Sequence, residues 1–319
     1  DLNDDGVEQL DEFFLELTPN EGTYIRQLLP SDELFPVIDL RVRLRNEIKP
    51  FGYLRAEGNL NRFLNQITLR SRFDIAENST TSEIRDIYFL NISTFRDSAT
   101  TIQGRFALEK ELDLFPEFNK YDLSIRYNQL RSLVRRSSEL QTLYQDAFAV
   151  DMGYEITSTI EGESKIVSAT NRTTSNSISN RNFNIISKTY EQSFGATVNR
   201  SWRTGIIISY SEKEDIIIES NKVEVQIVKI RNTNRFFLWR KVQANSSFEI
   251  RNVSINGSTN AVGNFELTEG SGSGTHAIWS LSSSYRVSNL IRLNFMYDGR
   301  TVKDRTAIHT AKLTLKATF

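Results

Sequence analysis

The chain has 319 residues, 39 basic and 40 acidic side chains, a formal charge of −1, two histidines and no cysteine. Balanced charge excludes the basic excess that neutralises nucleic-acid phosphates, and the lack of cysteine excludes disulfides, thiolate metal sites and cysteine nucleophiles. No run of about 18 apolar residues is present, which leaves crossing by strands open; a mean hydropathy of −0.40 suits a soluble protein and equally a barrel with a polar lumen.

The first residue is Asp1, and the expectation is a processed or excised piece whose targeting segment lies elsewhere. Asp1, Asn3, Asp5, Gly6 and Glu12 fit the pattern D-x-[DN]-x-[DN]-G-x5-E. Oxygens at loop positions 1, 3 and 5 converge on one cation, the glycine permits the sharp turn, the Val7 carbonyl contributes, and Glu12 closes the shell bidentately. The loop resembles an EF-hand or dockerin-type calcium loop, which implies a structural Ca2+ in a periplasmic linker spanning residues 1–22. The other reading is an acidic solvated linker with a glycine turn.

From Thr23 on, the dominant signal is alternation with period two. Ile38, Leu40, Val42 and Leu44 oppose Asp39, Arg41, Arg43 and Arg45; Ile67, Leu69, Phe73 and Ile75 oppose Arg70, Arg72 and Asp74. Val242, Ala244, Phe248 and Ile250 oppose Gln243, Asn245, Glu249 and Arg251, and Ala311, Leu313, Leu315, Ala317 and Phe319 oppose Lys312, Thr314 and Lys316. The spacing predicts strands over 23–29, 36–48, 64–76, 84–96, 101–112, 119–133, 145–161, 186–201, 204–213, 216–230, 235–253, 275–287, 289–298 and 308–319. Only Asp11–Leu17 and Leu130–Tyr144 leave room for a turn of helix.

Many of these runs reach ten residues, against a mode of about 5–6 in globular strands and about 9–11 needed to cross a bilayer. The arginine rows suit a hydrated lumen or a solvated sheet face and not a buried core. Loop lengths add a weaker argument. With Phe319 at the periplasmic side, Val287–Asn289, Arg231–Asn234, Trp202–Arg203 and Asp97–Thr100 are short inner turns. Asp298–Ala307, Ser254–Thr275 and the Ser/Asn/Thr-rich Gly162–Ile185 are longer outer loops, the last with a hairpin projecting beyond the membrane as its alternative; Lys49–Phe63, Val134–Tyr144 and Glu214–Asp215 break the rule. Even-numbered closure gives about 14 strands, in a range of 12–16, if Thr23–Leu29 is counted.

The end of the chain, Ala311-Lys-Leu-Thr-Leu-Lys-Ala-Thr-Phe319, resembles the last strand of Gram-negative outer-membrane β-barrels. The resemblance implies that Leu313, Leu315, Ala317 and Phe319 form the signal read by the barrel-assembly machinery. Tyr297-Asp-Gly-Arg300 and Ile308-His-Thr310 resemble outer-membrane proteins of the Bacteroidota–Chlorobiota side of the bacteria. It covers Thr23–Phe319 at the level of architecture: an all-β, antiparallel, transmembrane up-and-down barrel in outer-membrane lipid.

The sequence carries no G-x-S-x-G, P-loop or dinucleotide fingerprint. Trp202, Trp239, Trp279, Tyr285 and Tyr297 lie near strand ends, where rings at headgroup level form girdles or simply reflect β propensity. The sequons at Asn91, Asn171, Asn245 and Asn256 carry little meaning in a bacterial protein. His276 and His309 fall near the outer ends of two strands, which keeps a barrel-rim hydrolase open as an alternative beside ordinary polar rim residues. The expectation is a non-enzymatic outer-membrane barrel, porin-like or the anchor of a larger protein, with Arg41, Arg43, Arg45, Arg70, Arg72 and Asp74 as a lumen patch favouring anions. A soluble β-sandwich binding module is the other alternative.

Overall fold

A computed structural model describes residues 37–53, 58–80, 100–115, 120–136, 139–178, 181–217, 222–238, 241–257, 259–301 and 306–318. The calcium-loop residues Asp1, Asn3, Asp5, Val7 and Glu12 lie outside these residues, as do the expected strands 23–29 and 84–96, Asn91, Trp239 and Phe319.

The described residues form thirteen strands and two short helices: β1 (Ile38–Ile48), α1 (Asn59–Asn65), β2 (Thr68–Ser79), β3 (Thr101–Leu114), β4 (Tyr121–Arg136), β5 (Glu139–Thr157), β6 (Ile160–Ser175), β7 (Phe183–Asn199), β8 (Trp202–Asp215), β9 (Val223–Leu238), β10 (Val242–Asn256), α2 (Ala261–Thr268), β11 (Gly274–Arg286), β12 (Ile291–Arg300) and β13 (Ile308–Ala317). They make one sheet in sequence order, each strand antiparallel to the next. This is the up-and-down order of an outer-membrane barrel. The described residues hold thirteen strands, within the expected range of 12–16, and no pairing among them joins β1 to β13.

The strands are long because alternation is sustained and the turns are chemically closed. Between β5 and β6, the Thr157 hydroxyl accepts from the amides of Thr159 and Ile160 at 3.3 and 3.1 Å. Asn199 Oδ1 accepts from the Ser201 amide at 2.8 Å between β7 and β8. Ser288 Oγ accepts from Leu290 and Ile291 at 3.2 and 3.1 Å before β12. Short polar side chains that bond the backbone two or three residues on are the reason such sequences turn.

Several expected boundaries move. Gly162–Ile185 is not an outer loop: most of it is β6, and the connection shrinks to residues 176–182. β6 has no apolar stripe of its own and is held by its neighbours. Thr142 and Thr174 share a hydroxyl contact, Ser164 Oγ donates to Gln192 Oε1 at 2.6 Å, and Gln145 Nε2 donates to Asn171 Oδ1 at 3.2 Å. Leu130–Tyr144 is neither helix nor long turn, since β4 ends at Arg136 and β5 begins at Glu139. Trp202–Arg203 and Arg231–Asn234 lie inside β8 and β9, and Glu214–Asp215 ends β8. Thr100 lies directly before β3, in the connection 80–100 at the opposite end of the sheet from the short turns.

These shifts sharpen the loop asymmetry. One end carries the connections 158–159, 200–201, 239–241 and 287–290; the other carries 80–100, 176–182, 216–222, 257–273 and 301–307. Residues 49–67, which include α1, and 115–120 remain longer at the short-turn end, and 137–138 are short at the other.

Candidate functional site: the inner face of the barrel

Directly opposed residues of an antiparallel pair share a face, so the register divides every strand in two. One face is the apolar half of the alternation. On β5–β10 it carries Phe148, Ile166, Tyr190, Ile206, Ile230 and Phe248 in mutually paired or neighbouring rows, all exposed. Exposing such side chains to water costs about 1.5–3 kcal/mol each, and lipid removes that cost. Trp202, Trp279, Tyr285 and Tyr297 project from this outer face as well. Trp279 lies over Gly299, where a Cβ would come within 2.2 Å of the indole. Only glycine admits the ring there, the pairing known to protect sheet glycines.

The expected assembly-signal residues Leu313 and Leu315 are on the outer face, 67% and 65% exposed, with Ala317 half-buried at the strand end. The two histidines part company. His309 is on the outer face, hydrogen-bonded through Nδ1 to the Tyr297 hydroxyl at 2.8 Å and packed 5.5 Å from the Trp279 ring. His276 is on the inner face, 3% exposed, opposite Arg251. They do not form one rim site.

The inner face is polar and charged. All six residues of the expected patch are there, on β1 and β2. The register sets Arg43 opposite Asp74, Arg45 opposite Arg72, and Arg70 opposite Glu47. Arg43 Nε donates to Asp74 at 2.9 Å and Arg41 pairs with Asp39 at 3.1 Å. Arg70 meets Asp113, Glu47 and Glu111 at 2.5, 3.4 and 3.5 Å. Arg45 and Arg72 make no ion pair among the described residues. The patch is therefore largely matched by acids. With Arg105 and Glu109 of β3, it borders a cavity of about 1100 Å³.

Sequence reasoning did not find a second cluster, at the long-connection end of β7–β11. Phe183, Ile185, Val223, Val225, Ile227 and Val253 form an inward-facing apolar core around Leu267 of α2, which is fully buried. The helix is set by its N-cap: Asn260 Oδ1 accepts from the Gly263 amide at 2.7 Å, and its Nδ2 donates to the Asn182 carbonyl at 2.9 Å. Thr259 Oγ1 donates to buried Asp215 at 3.1 Å, which also accepts from the Asn184 and Ile217 amides.

The C-terminal end of α2 is held by charge. Glu269 occupies the left-handed region at φ 54°, a position that favours glycine. Its carboxylate receives Lys229 Nζ at 2.5 Å, Lys213 Nζ at 3.0 Å and Arg251 Nη1 at 3.5 Å. Burial opposes its ionisation, but the Lys229 hydrogen bond and the Lys213 charge outweigh this and hold the carboxyl down at about 2. Glu249, 3% exposed, is clamped between Arg251 and Arg231, and Arg251 donates to Ser271 Oγ at 2.9 Å. Lower in the lumen, Asp151 binds Arg126 at 2.5 Å and Lys165 at 3.6 Å. The faint signal for this cluster was Glu249 and Arg251 alternating with apolar residues on β10; Lys213, Lys229 and Glu269 lie too far apart in sequence to be joined by periodicity.

No known family matches the sequence, and no curated relative does. Solved structures match by fold. The ferric-catecholate import receptor Fiu from E. coli K12, in its open form, aligns at a TM-score of 0.54 with 9% identity, covering 88% of this chain and 56% of that one. The copper transporter OprC aligns at 0.48 with 8% identity, covering 84% and 46%. OmpT of Vibrio cholerae aligns at 0.39 with 9% identity, covering 89% and 97%. The chain thus spans about half the length of Fiu. It has the fold of the bacterial outer-membrane β-barrels, and this fold with its apolar outer face places it in the outer membrane, in contact with lipid.

Proposed function

We propose that this barrel walls an aqueous passage across the outer membrane and performs no chemistry of its own. One observation carries the reading: a largely polar and charged inner face, ion-paired on β1–β3 where it borders a cavity of about 1100 Å³, backs an apolar outer face. Ionised side chains on a wall facing a dry interior would be prohibitively costly, so the lumen is wet. α2 and its charged C-terminal end narrow that lumen at the long-connection end. The loop Asp1–Glu12 keeps its reading as a structural calcium site, to be tested by calorimetry on the intact chain.

The test begins with heat-modifiable mobility of the detergent-extracted chain, followed by planar-bilayer current. Stable single-channel steps are expected. A folded barrel that carries no current would replace the passage with the second reading, a membrane anchor, which is favoured by the inward-packed α2. A chain that stays monomeric in plain buffer without detergent would remove both.

A further inference from the structure

The inner face of β8–β13 changes character toward the short turns. Arg203 stands opposite Arg235, and that row continues through Asn245, Ser282 and Met296 to Lys312. Closer to the turns, Arg286, Arg292 and Lys316 form another row. All six cations are exposed, and none makes an ion pair among the described residues. Arg235 is stacked instead over the Phe237 ring, 4.9 Å from its centroid. Like charges set directly opposite each other are destabilising, so the Arg203–Arg235 pair stores repulsion that a bound anion would relieve.

The surface between the cations is uncharged and rich in hydrogen-bonding groups. Gln243, Asn245, Ser282, Asn294 and Thr314, with Lys312, line a cavity of about 360 Å³. The nearest acids do not neutralise the strip. Glu249 is already engaged by Arg231 and Arg251. Asp298 stands one row above, opposite Ser280 and Thr310, and Glu161 reaches from β6 over Gly195 of β7 without forming an ion pair with Arg203. Six neighbouring strands spaced about 4.8 Å apart make the strip about 24 Å wide, far wider than one small anion.

We propose that this strip binds an extended acidic oligosaccharide inside the lumen; the inference rests on the aqueous passage and names its solute class. Arginine and lysine suit carboxylates spaced along a sugar chain, while hydroxyl and amide side chains both donate to and accept from sugar hydroxyls. The test is calorimetry of the detergent-extracted full chain with a galacturonic-acid tetramer, a neutral galactose tetramer and polyglutamate. The acidic tetramer should bind, more weakly as salt rises. Replacing both arginines, Arg203→Gln with Arg235→Gln, should weaken it about fivefold to tenfold, while outer-face Lys188→Gln should leave it unchanged. Heat-modifiable mobility of each variant confirms folding. Absence of binding to the folded chain, equal binding of the neutral tetramer, or equal binding of polyglutamate overturns the proposal. Because binding is read without current, a silent bilayer would retire the passage while calorimetry still decides the strip.

Discussion

Two regions of the inner face use the same charged residues to different ends. On β1–β3 the arginines stand in an open, wet ladder: the Arg43 side chain is 72% exposed although it bonds Asp74. On β8–β10, beneath α2, the Glu249 and Arg251 side chains are 5% and 10% exposed, next to a core that includes Leu267. Solvent screens the first set, so its pairs set local charge and contribute little to stability. Burial makes the second set structural, because removing one partner strands a desolvated charge. What a lumen ion pair does therefore depends on what covers it.

The strongest test of this contrast is Glu249→Leu, which leaves buried Arg251 with only its longer contact to Glu269 and half-exposed Arg231 without its acid. A loss of about 3–5 kcal/mol is expected, read as the urea midpoint of the detergent-folded barrel. A midpoint unchanged from wild type would mean the site is as wet as β1–β3. Next, Leu267→Ala should cost about 2–5 kcal/mol, and it should raise single-channel conductance by freeing α2 from the wall. A conductance that stays the same while stability falls would show that α2 does not narrow the passage.

Acid provides the third test. The Glu269 carboxyl is held down at about 2 in the folded barrel, below the ordinary carboxylate value of about 4.3. Its stabilisation is therefore fully present above that ordinary value and is lost as pH falls from there through about 2. Hydrogen exchange at residues 261–273 should accelerate in that window, and Glu269→Gln should abolish the dependence. Finally, Arg43→Gln should change stability by about 1 kcal/mol or less; a larger loss would place β1–β3 with the buried cluster.

Legibility in the sequence followed the same divide. β1, β2 and β13 show their faces because their apolar and charged residues alternate without interruption, and the arginine patch came with them. β6 did not, because Ser164, Ser168 and Thr170 share the outward rows with Ile166, and the strand is held by bonds from Thr142, Gln145 and Gln192. The Glu269 cluster joins three strands and a helix end, and a period of two says nothing about which lysines meet which glutamate. The cationic strip was half visible: Lys312 and Lys316 alternate plainly, but their kinship with Arg203 and Arg235 depends on the register of six strands.

Thirteen up-and-down strands have a consequence for sidedness. An odd count makes β1 and β13 run the same way, so Ile38 lies at the end with the long connections and Ala317 at the end with the short turns. Among the described residues the first and last strands therefore present their free ends, Ile38 and Ala317, at opposite ends of the wall. Two reporters attached at those points would meet only if one of them recrossed the height of the wall.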